Sequence, residues 1–380
     1  MKKNYIMVMT SFLLFIVTGL STINESQKEE TVDVTAVGDN LIHPAVYRDA
    51  EKADGSYNFK PMYKPVKEDI KQADLAYVNQ ESPLGGDDRP YSGFKRFNTP
   101  SDVAGDLVDT GFNLVNGSNN HALDQGSKGL EHEVDVWKAF KNRVLFTGKY
   151  QSQSQRDRIP VKKVNGMEVS MLSYTYGTNG LKSKHDYSIN YLDKKLMKHD
   201  IQRAKKKSDA VIVSVHWGKE GSHKPTRVQK DYAKFLAKQN VDVVIGTHPH
   251  VIQPVKWVKG TDGHRTLVAY SLGNFLNAQM TGTESNELGG NLSFTLKEKG
   301  NQVTVKNVEW KSLVNHFERK DVRYPMKRTD FKVIPLDDYT DDMIQRHGLQ
   351  GFPGYDMSRD RFEQITRDTI DAKYLNDESM

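Results

Sequence analysis

Asp39, Glu81, Asn120, His121, His216, His248 and His250 have side chains suited to holding a divalent ion or to moving a proton beside one. The 380 residues include no Cys. That excludes thiol catalysis, disulfides, thiolate-bound zinc, Fe–S clusters and a lipid-attachment cysteine. Any metal must therefore rest on His, Asp, Glu or Asn. Carboxylates can bridge two ions, imidazole suits Zn, Mn, Fe or Ni, and an amide oxygen can complete a site. Two ions about 3.5–4 Å apart can hold the attacking and leaving oxygens of a displacement. A bridging hydroxide then serves as nucleophile without Ser or Cys.

Taken singly, these residues say little. A His after a strand is most often structural or merely exposed, and an Asp after Gly is often only a helix cap. Their placement on the expected elements carries more. Apolar, β-branched runs predict strands over residues 31–38, 75–79, 112–117, 143–146, 210–215 and 241–246. Helical patterns fall over residues 61–72, 102–109, 129–141 and 227–239, the second stopped by Gly111. Hairpins are expected over residues 161–174, 256–274 and 291–310, turning at Asn165-Gly166, Asp262-Gly263 and residues 299–301. This alternation predicts an α/β fold with a parallel or mixed sheet covered on its faces. Each candidate then sits just past the carboxyl end of a strand. Asp39 follows the first, Glu81 the second, Asn120 and His121 the third, His216 the strand at 210–215, and His248 and His250 the strand at 241–246. The crevice outside those ends is where open α/β sheets bind ligands.

The body has an ordinary soluble composition. At 37% hydrophobic and 27% charged it is not a multi-span membrane protein. The net charge of +5 is small and dispersed, which gives no nucleic-acid footprint. The first residues read as an address. Lys2 and Lys3 precede an uncharged stretch over residues 4–24, strongly apolar at 12–17. A helix of ~20 residues crosses a bilayer, and the lysines keep its start in the cytoplasm. A cleaved signal peptide is the alternative, although Leu20 and Ile23 spoil the small-x-small pattern around Gly19, Ser21 and Thr22. A core helix is a third reading. Residues 1–30 are thus expected to be a membrane anchor and linker, with the body outside the cytoplasm.

Six stretches carry a family resemblance: AVGDNLI from Ala36, VNQESPL from Val78, GFNLVNGSNNHALDQG from Gly111, VSVHWGKE from Val213, VDVVIGTHPHVIQP from Val241 and AYSLGNF from Ala269. In order and spacing the chain resembles, over about residues 31–300, the CapA-type capsule-biosynthesis proteins of poly-γ-glutamate synthesis and export. These lie within the calcineurin-like metallophosphoesterase superfamily. The resemblance implies a four-layer α/β/β/α sandwich with the metal site at one edge. It also implies one or two divalent ions (Mn, Zn or Fe). Asp39, bridging Glu81 and His250 would hold the first ion, and Asn120, His216 and His248 the second. His121 would be a general acid or transition-state stabiliser. Two departures stand out. Asn40 and Leu41 follow Asp39 where the wider superfamily has Asp-x-His, with His43 only in the following turn, and Glu81 stands where many relatives have Asp. The first position is therefore poor in ligands, and occupancy by one ion is also open.

Further residues near the rim have two readings each. Lys95 and Arg96 could hold carboxylates of an acidic polymer or be a solvated basic loop. Trp217 is a pocket wall or core, and Glu220 flanks the same His216. Asn274 orients a ligand or belongs to a strand-end turn. Asp124 reads as a cap of the following helix, and the lysine pairs and triplet at 162–163, 194–195 and 205–207 as solvated faces. The expected organisation is an anchor over 1–30, a metallophosphoesterase-like domain over 31–310 and a charged extension over 311–380. The expected role is a membrane-anchored, extracellular component of a poly-γ-glutamate machine, partnered by other synthase subunits and the acidic polymer. It would be a metal-dependent hydrolase or, on the same fold, a non-catalytic polymer-binding scaffold. A secreted phosphodiesterase unrelated to capsule is the third possibility.

Overall fold

Among the described residues the alternating apolar runs fold into fourteen strands. The computed structural model describes residues 30–300, 302–321 and 327–375, and the expected anchor at residues 2–23 lies outside them. Among the described residues no helix is long and apolar enough to cross a membrane. In chain order the strands are β1 (Glu30–Asn40), β2 (Leu75–Gln80), β3 (Leu114–Asn116), β4 (Leu145–Thr147), β5 (Val161–Val164), β6 (Met167–Thr175) and β7 (Ala210–His216). They continue with β8 (Val243–Thr247), β9 (Ile252–Lys259), β10 (Arg265–Leu272), β11 (Asn274–Leu276), β12 (Leu288–Lys299), β13 (Gln302–Arg319) and β14 (Arg328–Pro335).

They form two mixed sheets. The first runs β14-β13-β12-β1-β2-β3-β4, with β11 also paired to β1, and the second runs β5-β6-β7-β8-β10-β9. In the first, β1 to β4 are mutually parallel and β12 to β14 antiparallel. In the second, β6, β7, β8 and β10 are parallel, with antiparallel β5 and β9 at the edges. Alternate residues of the second sheet face two cores. Met167, Val169, Met171, Ile212, Val243 and Ile245 join the core of the first sheet. Leu172, Tyr174, Val211, Val213, Val215 and Val244 pack instead with Met197 and Ile201 of helix Lys194–Ala204 and with Leu236 of helix Arg227–Lys238. Period-two side-chain alternation thus buries both faces of the sheet.

Local chemistry explains the boundaries. Asn165 and Gly166 both take positive φ, 49° and 91°, which is the primed-turn geometry that closes the β5–β6 hairpin. Thr226 and Gln229 form a capping box at the start of helix Arg227–Lys238, and Asp193 caps helix Lys194–Ala204. The helix expected over 61–72 is broken into Lys60–Tyr63, a 3-10 turn Lys64–Val66 and Lys67–Gln72. Pro65 lies at the break and has no N–H to continue the ladder. Residue 310, read from sequence as the end of a domain, falls inside β13. Beyond it β13 and β14 extend the first sheet, and Leu313, Val314, Phe317, Phe331 and Val333 lie in its core.

Candidate metal centre

The carboxyl ends of β1, β2 and β3 in one sheet and of β7 and β8 in the other meet at a common rim. Asp39 is the penultimate residue of β1, Glu81 follows β2, His216 ends β7, and His248 and His250 follow β8. Gly38 permits the approach, because a Cβ there would fall 1.8 Å from the Gly273 carbonyl oxygen; Asp39 N–H donates to that same oxygen at 2.9 Å. Ligand atoms of Glu81, His248 and His250 lie within 4.8 Å of one another, as do those of Asp39, Glu81 and His216. All are buried.

At the centre is the Glu81 carboxylate, fully buried, with neither oxygen hydrogen-bonded. Its Oε1 is 3.6 Å from His216 Nε2 and 3.7 Å from His250 Nε2. These separations are too long for hydrogen bonds but suit two ligands of one ion with bonds near 2.0–2.2 Å. Asn120 Oδ1 lies 3.0 Å from His216 Nε2, and His248 Nδ1 is buried without a partner. A buried carboxylate with no donor is costly unless a cation balances it. These residues therefore fit a divalent ion.

Further contacts set the imidazoles. His250 Nδ1 lies 3.1 Å from Asp39 Oδ2 and 3.0 Å from Asn274 Oδ1, so it donates and leaves Nε2 toward Glu81. His216 Nδ1 meets Thr247 Oγ1 at 2.9 Å. Asn79 Nδ2 donates to Asp39 Oδ1 at 2.8 Å. His248 and His250 take left-handed backbone angles, φ 98° and 58°, uncommon for residues with a side chain. Burial, then Asp39, pushes Glu81 well above the usual carboxylate range. Burial holds His216 and His248 well below the usual imidazole value, keeping them neutral donors of lone pairs. Burial also opposes charge on His250, but Glu81 and the hydrogen bond to Asp39 outweigh it and raise the group to about 10.

His121 stands beside this cluster. Its Nδ1 lies 2.7 Å from Asp124 Oδ2, which also accepts from Phe97 N–H at 2.8 Å. Nε2 is thus the free ring nitrogen. Asp124, expected as a helix cap, makes no cap; helix Gly126–Lys138 begins after Gln125 without a side-chain cap. The Phe97 ring meets His121 edge-on at 4.8 Å, and exposed Lys95 and Arg96 precede it on the rim loop. Asn274 holds His250. Glu220 is exposed, yet close enough for its charge to act on Glu81 and His250. Trp217 is not in the site. It is fully buried, donates to the Tyr270 carbonyl at 2.9 Å and packs in the core of the second sheet. His43 stays out of both ligand groups, and its Nδ1 takes the Ala278 N–H at 3.2 Å.

Several residues around the centre were not legible as functional. Asn79, Thr247 and Asp124 lie inside the motifs quoted above, and adjacency was the available signal. Tyr176, 46% exposed, lays its ring 4.7 Å from His248, and Asn179 Nδ2 lies 3.4 Å from His121 Nδ1. They come from a loop with no pattern of its own. Another cluster, His316, Glu318 and Asp330, differs in kind, since Arg346 pairs with Glu318 at 3.0 Å and Lys332 with Asp330 at 2.7 Å.

Comparison with known proteins agrees with the motifs. The chain is 30% identical over 197 residues to the "PGA biosynthesis protein CapA" of Bacillus subtilis (strain 168), covering 51% of this chain and 50% of that protein. It is 27% identical over 289 residues to the "Capsule biosynthesis protein CapA" of Bacillus anthracis, covering 73% of this chain and 67% of that one. The match thus spans about half the length of the first of these relatives and two thirds of the second. Among solved structures, the calcineurin-like phosphoesterase YfkN from Bacillus subtilis aligns over 89% of this chain and 100% of that one, at 11% identity and a TM-score of 0.45. The family model "Bacterial capsule synthesis protein PGA_cap" matches residues 33–279, a span holding every proposed ligand and well over half the chain, and the chain belongs to that family.

Proposed function

We propose that this protein is a membrane-anchored, extracytoplasmic component of poly-γ-glutamate capsule synthesis or export, and that its metal centre acts on or handles the acidic polymer. Family membership and the names of the relatives support the capsule role. The metal reading rests on one observation: a fully buried Glu81 carboxylate without a hydrogen bond, faced by three histidines. Glu81, Asn120, His216, His248 and His250 would hold one or two divalent ions of the Mn, Zn or Fe class. An ion there supplies Lewis acidity to a phosphoryl or carbonyl oxygen. The chain's own residues do the rest. Asp124 fixes the proton of His121 on Nδ1 in the neutral ring, and in the protonated ring Nε2 can give a proton to a leaving group. Lys95 and Arg96 offer charge to carboxylates at the rim, and other synthase subunits would be the partners.

A non-catalytic polymer-handling subunit is the second reading. It is favoured by the poverty of ligands around Asp39, whose oxygens already accept three hydrogen bonds. Metal analysis of the purified protein, followed by assays on a phosphodiester model substrate and on poly-γ-glutamate, separates the two. Bound metal with turnover of either substrate supports the enzyme. Bound metal and polymer retention without turnover supports the scaffold. Absence of any bound divalent ion sinks the metal reading.

A further inference from the structure

Asp39 was expected to ligate the first of two ions, yet its surroundings describe a different task. Oδ1 accepts from Asn79 Nδ2 at 2.8 Å, and Asn79 Oδ1 in turn accepts from Asn116 Nδ2 at 2.7 Å. Oδ2 accepts from His250 Nδ1 at 3.1 Å and from His248 N–H at 3.2 Å. The same Nδ1 meets Asn274 Oδ1 at 3.0 Å, while Asn274 Nδ2 donates to Gln279 Oε1 and to the Asn286 carbonyl. Both neighbours of His250 Nδ1 are therefore acceptors, so a ring proton stays on Nδ1, and Nε2, on the Glu81 side, is the nitrogen that would bind an ion. A carboxylate behind a histidine in this way fixes the tautomer and raises the basicity of the ligand. Through His248 N–H, Asp39 also ties down the left-handed turn that carries both histidines.

A second ion on the Asp39 side would have to draw on Glu81 and His216, whose ligand atoms lie within 4.8 Å of an Asp39 oxygen, and would find few donors beyond them. Asn40 is turned away, its Nδ2 donating to Gln80 Oε1 at 2.8 Å and its Oδ1 accepting from the Tyr63 hydroxyl at 3.0 Å. Leu41 is apolar and buried, and His43 is held by the Ala278 N–H. Glu81, by contrast, keeps both oxygens free.

We infer that Asp39 is the positioning carboxylate of His250, and that the centre takes a single divalent ion through Glu81, Asn120, His216, His248 and His250. The inference rests on the metal reading proposed above. Its test is titration of the full-length, metal-stripped protein with Mn²⁺ and separately with Zn²⁺, counting only the equivalents that vanish in Glu81→Gln. Wild type should saturate at one equivalent per chain. Asp39→Asn should keep that stoichiometry with about 10–100-fold weaker affinity, the usual effect of losing such a partner. X-ray absorption should find the same number of imidazole ligands in both. Two equivalents in wild type, or loss of one of two in Asp39→Asn, overturns the assignment of Asp39 and leaves the metal reading intact. No equivalents in wild type overturns the metal reading itself. The wild-type count stands even if Asp39→Asn does not fold.

Discussion

His121 and Asn120 show how neighbouring side chains divide labour. Asn120 turns its carbonyl oxygen to His216 Nε2 at 3.0 Å, whereas His121 turns Nδ1 to Asp124 at 2.7 Å. In the proposed centre the first would belong to the ion's shell and the second would stand beside it. His121→Ala should therefore leave metal content nearly unchanged, while His216→Ala should lower it, both read by elemental analysis. In an active enzyme His121→Ala should also lower turnover by roughly 10²–10⁴, the scale of general acid–base catalysis. Metal loss in His121→Ala would make it a ligand, and unchanged polymer production in cells carrying it would favour the scaffold. The Asn-His pair was legible in the sequence because both residues follow a strand. Asp124 was not, because a carboxylate two residues before a helix reads equally as a cap. Only the rotamer distinguishes the two roles.

At the scale of elements, the added strands carry the fold past the family-matched segment. β13 pairs with β12 on one side and β14 on the other, and its residues Leu313, Val314 and Phe317 are buried. Truncation after residue 310 would cut β13, unpair residues 288–291 of β12, and remove β14 together with buried Leu313, Val314 and Phe317, leaving apolar surface uncovered. The truncated chain is expected to be insoluble or to lack cooperative melting; soluble protein with a native circular-dichroism melt would contradict this. Glu287, just before β12, is a second element-level feature. It is buried against Asn315, Asn277 and Arg328, and burial outweighs them, raising its pKa from 4.5 to about 7. The folded state thus holds this proton to higher pH than the unfolded state does. Stability from this group is complete below about pH 4.5 and is lost as pH rises to about 7, by on the order of 3 kcal/mol. Glu287→Gln removes the titration. Urea melts at pH 5 and pH 8 should show wild type losing more stability between them than the variant. Equal losses would show that Glu287 is not held protonated.

Across the whole molecule the centre is a product of two sheets. Asp39 of the first and His250 of the second are 211 residues apart and in hydrogen-bond contact. For the anchor proposed over residues 2–23, protease shaving of intact protoplasts should remove the body and leave it membrane-derived; a protected body, or one soluble in the cytoplasm, would refute that topology. Sequence by itself determined the residue types able to bind metal, the strands they follow, the primed hairpin turn at Asn165-Gly166 and the absence of thiol chemistry. These depend on local periodicity, turn chemistry and composition. Tertiary structure alone decided that Glu81 keeps both oxygens unpaired, that Asp39 spends its oxygens on Asn79, His248 and His250, that Trp217 is core, and that Tyr176 lies over His248. Whether a carboxylate faces an ion or a donor is set by side chains brought beside it from other strands. No pattern along one strand encodes that choice.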